Sequence, residues 1–288
     1  MTDPNPTASP GRHGPDIRGG LLVFQSKNTT PNNIMKHPYL HPVDPGTNTV
    51  PVCYDRLQSW INRLPAWLAD PSIPQPKATL LCGLPGTGKA NAVKAIARVL
   101  QRPLFRLDPA CDRPALADIT TLLTQHKPPC VLWVDQPGEV HAGMHRWLLD
   151  NTTQPAFVVF TTDTPQKLPA GFTRADVVES AWHLDLPGTR QRSALWGELL
   201  AAAYTGHHEN DSVKLAQMSP MFTAGEIHAA FEHAHRECGK LPDEGHLIDA
   251  VLRRRPIALV MDEQLACLRA WALTHACVAT SVIDHAEP

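Results

Sequence analysis

No stretch of this chain approaches the ~20 consecutive apolar residues that span a bilayer, so no membrane-spanning helix is expected. A C-x-x-C pair is also missing. The seven cysteines, at 53, 82, 111, 130, 238, 267 and 277, are odd in number and scattered, a pattern that reads as reduced thiols of the cytoplasm rather than a disulfide framework. An excess of either charge is lacking too. With 26 Lys and Arg against 28 Asp and Glu the formal net charge is −2, which gives no footprint for non-specific nucleic-acid binding and leaves only a local patch to carry any. The opening MTDPNPTASPGRHGPDIRGG has no apolar core of a secretory leader. A cytoplasmic location is the expectation.

What is present is ordinary globular composition, 43% hydrophobic and 19% charged over 288 residues, enough to bury a sizeable core. Proline is concentrated at one end: nine of the first 51 residues. Residues 1–50 are therefore expected to form a disordered or irregular arm, with at most a short strand at Leu21–Phe24. Leu57, Trp60, Ile61 and Leu64 then recur at helical spacing, and Pro65 is expected to kink or end that helix.

From Lys77 onward short apolar runs alternate with helical patterns. KATLLC (77–82), LFRLD (104–108), CVLWVD (130–135), AFVVFT (156–161) and AWHLDL (181–186) read as buried strands. Helical stretches fall at 90–100, 115–125 and 139–150. This alternation predicts an α/β fold with a parallel sheet covered on both faces. After Pro187 no strand is predicted, only helices at 189–205, 223–238, 244–253 and 260–276. Thr223 and Glu226 have capping-box spacing at the start of one of them.

Between the first predicted strand and helix lies GLPGTGKA: Gly83, Leu84, Pro85, Gly86, Thr87, Gly88, Lys89 and Ala90. This is the G-x-x-x-x-G-K frame of a phosphate-binding loop in its required strand–loop–helix setting. Its glycines let backbone N–H groups wrap phosphates, the helix adds its positive end, and Lys89 reaches the outer phosphates as a point charge. ATP or ADP is the implied ligand. At position 90, where Ser or Thr would coordinate Mg²⁺, Ala90 offers only a methyl group, which weakens the expected metal site. Asp135 lies 46 residues after Lys89 at the end of an apolar strand, placed as the Walker B carboxylate that holds Mg²⁺ through water. Gln136 follows where a general base is wanted. Its neutral amide is a poor base, and losing such help typically slows hydrolysis by ~10²–10⁴.

Taken in order, GLPGTGKA, FRLD (105–108), CVLWVDQ (130–136), VVFTTDTPQKLP (158–169), LDLPGTRQR (184–192), FTAGEI (222–227) and VMDEQLACLRAW (260–271) resemble the AAA+ ATPases, in particular a branch found in cyanobacteria and algal plastids. The resemblance covers about residues 55–275. It implies an AAA+ α/β nucleotide-binding domain over 51–187 and a C-terminal helical lid domain over 188–288. It places the sensor-1 position on Asp163, an acid where a neutral polar group is usual. It places the first of two arginine fingers on Arg174, the second on Val177, and the sensor-2 region on Ala224 and Gly225. It also implies an oligomer with itself or a related AAA+ subunit. Residues 109–129 carry neither glycine nor an aromatic residue, so the family's pore loop is missing and polypeptide threading is not expected.

Ala90, Gln136, Asp163 and Val177 together touch metal binding, water activation, phosphate sensing and charge stabilisation in trans. Three functional readings stay open. One is a nucleotide-binding subunit with weak or absent hydrolysis, in which Arg174 can serve a neighbour's site. The second is an active remodelling ATPase with unusual catalytic groups. The third is a nucleotide-independent binding module. His141 and His145, four apart on a predicted helix, lack a third metal ligand, and Arg253 to Arg255, the only basic run, reads as a complement to a helix C-terminus.

Overall fold

The structure, a computed structural model, describes residues 37–47, 49–125, 129–138, 141, 144–150, 156–169, 172, 174, 176–204, 209–239 and 241–281. Leu21–Phe24 lies outside the described residues. The chain builds a seven-stranded sheet from β1 (Leu40–Val43), β2 (Ala78–Cys82), β3 (Leu104–Leu107), β4 (Cys130–Asp135), β5 (Ala156–Thr162), β6 (Ser180–His183) and β7 (Cys277–Val278). The order is β1-β3-β4-β5-β2-β6-β7. Every pairing is parallel except β1 against β3.

Strand alternation sorts the core into two layers. On one face Leu81, Val131, Trp133, Phe157 and Val159 meet α1 (Asp55–Ala69) and α2 (Lys89–Val99). On the other, Leu80, Leu132, Val134, Val158 and Phe160 meet α3 (Arg113–Gln125) and α4 (Met144–Asp150). Both faces are covered, which is why β2, β4 and β5 read as unbroken apolar runs. The C-terminal half supplies α5 (Thr189–Ala203), α6 (Glu209–Met218), α7 (Ala224–Cys238), α8 (Glu244–Leu252), α9 (Ile257–Val260) and α10 (Asp262–His275). Trp196, Leu215, Ile227 and Leu247 from these helices, with Phe222 just before α7, join the same buried cluster as α1 and α2. The apolar core therefore runs on without a break past Pro187.

Four local differences from the sequence expectations have physical reasons. Residues 40–43 pair as an edge strand inside the proline-rich arm, with Pro42 opposite Phe105; an outermost strand tolerates the missing N–H. Helix α1 continues through Pro65 to Ala69, since Pro65 forfeits one backbone bond while Trp67 still packs on the core. Helix α6 carries only Leu215 and Ala216 as buried apolar residues, too weak a stripe to read. Strand β7 has two residues, paired beside Trp182 and His183, and no periodicity exists over two residues.

Candidate functional site

β2 ends at Cys82, and the Gly83 N–H donates to the Thr162 carbonyl at 3.2 Å, aligning the loop with the end of β5. Gly86 and Gly88 adopt φ of +85° and +97°, values that glycine reaches without steric penalty. The loop closes on itself through Thr87, whose Oγ1 donates to the Leu84 carbonyl at 2.8 Å. Lys89 opens α2, and the N–H groups of that first turn have no intrahelical partner. They, with the helix dipole, form an anion-binding end. The half-buried Lys89 ammonium donates to the carbonyls of Gly83 at 2.5 Å and Leu84 at 2.9 Å. Burial pulls its pKa down, while the nearby charges of Asp163 and Asp135 act the other way.

Asp135 sits in a closed network. Its Oδ2 pairs with Arg106 Nη2 at 2.9 Å, and its Oδ1 accepts the Thr161 hydroxyl at 2.6 Å. Thr161 in turn accepts Trp133 Nε1 at 2.8 Å. The Arg106 guanidinium lies over the Trp133 ring, 4.9 Å from its centre, a cation–π arrangement that fixes its direction. Register explains the meeting: Arg106 pairs with Trp133 and Asp135 with Thr161, so all four share one face. Sequence reasoning assigned no role to Arg106. The available sign was a charged residue within a four-residue buried strand, aligned with the strand that ends in Asp135.

Gln136 adopts φ +49°, a left-handed conformation uncommon for its type. Its Oε1 accepts the Thr162 hydroxyl at 2.9 Å and lies 3.5 Å from the Asp163 N–H. The Asp163 carbonyl accepts Gln264 Nε2 at 3.0 Å. The loop, Asp135, Gln136 and Asp163 are thus brought together at one end of the sheet.

Arg174 is bound instead to its own neighbour: Nε and Nη2 engage the two oxygens of Asp176 at 3.0 and 2.6 Å. Its side chain is 59% exposed. Val177, at the second finger position, is buried in the core, where an arginine would be unsolvated. His141 is buried, with its Nδ1 accepting the Gly138 N–H at 3.2 Å; the side chain of His145 lies outside the described residues. Among the described residues no group of three His, Cys, Asp or Glu is placed to hold a metal. Nor is any helix among them long and apolar enough to cross a membrane.

The C-terminal helices reach the loop directly. The Gly225 N–H donates to the Gly86 carbonyl at 2.8 Å, and a Cβ on Gly225 would stand 3.0 Å from that oxygen and 3.1 Å from Gly86 Cα. The Ala224-Gly225 order therefore has a local reason: glycine stands where two backbones touch. Leu84 is buried with Ala258 and Leu265, flanked by Leu186, Met221 and Met261. On the other side Pro51 covers Gly88, where an added Cβ would come within 2.7 Å of the proline ring.

A glycine-rich phosphate loop between strand and helix, an acid ending a nearby parallel strand and a helical unit resting on the loop define a P-loop protein of the AAA type. Residues 79–186 match the model of the ATPase family associated with various cellular activities (AAA), and the chain carries an AAA domain. Among curated relatives, the uncharacterized AAA domain-containing protein ycf46 of Pyropia yezoensis is 26% identical over 249 residues, covering 76% of this chain and 50% of that protein. Its namesake from Trieres chinensis is 26% identical over 253 residues with the same coverage. The chain spans about half the length of these curated relatives. Among solved structures, the FIGL-1 AAA domain superposes with a TM-score of 0.61 at 15% identity, covering 88% of this chain and 99% of that one, a likeness of fold.

The AAA family generally binds ATP or ADP with Mg²⁺. The residues here fit the phosphates, through left-handed glycines, free first-turn amides and Lys89. They fit the metal poorly: Ala90 has no donor atom, and the Asp135 carboxylate is already paired with the Arg106 guanidinium.

Proposed function

We propose that this chain binds ATP or ADP, hydrolyses it weakly or not at all, and serves as a structural or regulatory subunit of an AAA assembly. The observation that carries this reading is the state of Gln136. Its amide oxygen accepts the Thr162 hydroxyl, and a neutral carboxamide held by its neighbour cannot take a proton from water. AAA proteins commonly oligomerise, and the exposed Arg174 is free of the core, so release from Asp176 would let it reach a neighbour's phosphates.

Phosphate release and nucleotide binding by the full chain test this. Saturable ATP or ADP binding, abolished by Lys89→Ala, is expected with turnover far below the ~1–10³ s⁻¹ of ordinary enzymes. Gln136→Glu should raise turnover less than about tenfold, because a base alone does not restore the other lost groups. Ordinary turnover by the wild type, or a large gain in Gln136→Glu, would favour an active remodelling ATPase. Absence of nucleotide binding would favour a nucleotide-independent module, for which the hold of Lys89 on its own loop carbonyls would be the structural basis.

A further inference from the structure

Resting on the nucleotide-binding reading, we propose that the site takes its nucleotide without a divalent cation, Arg106 supplying the positive charge that a metal would bring. Four observations converge. Ala90 offers no oxygen at the first helical turn, and its methyl packs against the apolar cluster below. Arg106 Nη2 lies 2.9 Å from Asp135 Oδ2. Thr161 accepts from Trp133 Nε1 and so turns its own proton onto Asp135 Oδ1. Each oxygen of Asp135 is thereby already directed at a donor, one of them a cation. The fourth observation is that Arg106 is both fixed and accessible. Trp133 lies beneath its guanidinium, and the side chain is still 40% exposed.

Charge balance completes the case. The carboxylates here are Asp135 and Asp163, and the cations are Lys89 and Arg106; both carboxylates act on Lys89. This set is neutral before a nucleotide arrives, so no metal is needed to balance the two carboxylates, and the loop amides with the remaining N–H donors of Lys89 and Arg106 are left to meet phosphate oxygens. A dication entering beside Asp135 would meet the guanidinium that already neutralises it, and like charges a few ångströms apart repel. A guanidinium presents five N–H donors in a fork. Arg106 can hold Asp135 with one edge and offer the other to phosphate, a use a spherical ion has no need of. Its Nε is buried without a hydrogen-bond partner, which leaves the terminal nitrogens to do both tasks.

The experiment is an equilibrium titration of the full chain with fluorescent ADP and ATP analogues, in excess EDTA and in excess Mg²⁺. Wild-type dissociation constants should agree within about threefold between the two conditions. Arg106→Gln should weaken binding in EDTA by about tenfold or more, with Mg²⁺ recovering part of the loss. Arg106→Lys, which keeps the charge but loses the fork, should weaken metal-free binding by about threefold or more, less than Arg106→Gln does. It decides the matter should Arg106→Gln fail to fold, since an unchanged affinity would overturn the role of the arginine. A wild-type affinity that collapses in EDTA overturns this inference while leaving nucleotide binding intact. Unchanged metal-free affinity in Arg106→Gln overturns the role of the arginine. Absence of binding in both conditions overturns this inference and the nucleotide-binding reading together.

Discussion

Arg106 and His183 show how single side chains set the chemistry of this sheet. Arg106 turns an acid expected to face a metal into half of an ion pair. That change was out of reach of motif reading, because the motif records Asp135 and not what stands on the neighbouring strand. The loop itself was legible residue by residue, since its glycines and lysine act through local backbone geometry. His183, next to the loop strand at the Cys82 pairing, is 4% exposed with Nε2 unpartnered. Burial pushes its pKa below the ordinary 6.5; Asp185 opposes and Arg269 reinforces the shift. The unfolded chain therefore binds the proton first as pH falls, so stability is full above about 6.5 and declines below it. Urea midpoints at about pH 7.5 and about pH 5.5 should show that decline, and His183→Gln should make it shallower. Some slope should remain, because burial also lowers His141. An unchanged slope in the variant would remove His183 from this account.

Among the elements, α7 joins helix chemistry to the site. Thr223 Oγ1 accepts the Glu226 N–H at 3.2 Å, and Glu226 Oε2 accepts the Thr223 N–H at 2.8 Å, the reciprocal capping box that the spacing predicts. Glu226 Oε1 also accepts the Ile257 N–H at 2.7 Å, tying α9 to the same point. The cap was legible because it is local. Its docking on Gly86 was not, because a contact between positions 86 and 225 leaves no periodic trace. Gly225→Ala tests the contact. The added methyl meets backbone rather than a yielding side chain, so a loss of about 1–3 kcal/mol in unfolding free energy is expected. Nucleotide affinity should fall with it, since the displaced partner is the phosphate loop. Ala224→Gly, which removes a methyl packed against the core and adds none, is the comparison and should lose about 1 kcal/mol. Equal effects from the two variants would mean that Gly225 matters only as a helix residue.

At the scale of the whole molecule, the short segment after α10 binds parts of the chain that are distant in sequence. The Ala279 N–H donates to the His183 carbonyl and the Ala279 carbonyl accepts the Leu57 N–H, each at 3.1 Å. Gln191 Nε2 donates to Thr280 Oγ1 at 2.5 Å, and the Ser281 N–H donates to Asp55 Oδ1 at 2.8 Å, with its hydroxyl on the other oxygen. One strap thus joins α1, the β6 edge and the first helix after Pro187. The change from strands to helices near Pro187 was plain in the sequence, although the buried core runs on across it and β7 returns to the sheet after α10. The strap was hidden because its five residues carry no pattern and act only through partners some 90 to 226 positions away. Comparing a chain ending at Ser281 with one ending at Ala276 isolates it. At roughly 0.5–1.5 kcal/mol for each hydrogen bond lost, the shorter chain should unfold about 10 °C lower, given about 2–4 °C per kcal/mol for a chain of this size. If both melt together, the strap adds nothing. If the shorter one melts in two steps, the strap is what makes α1, β6 and α5 unfold as one.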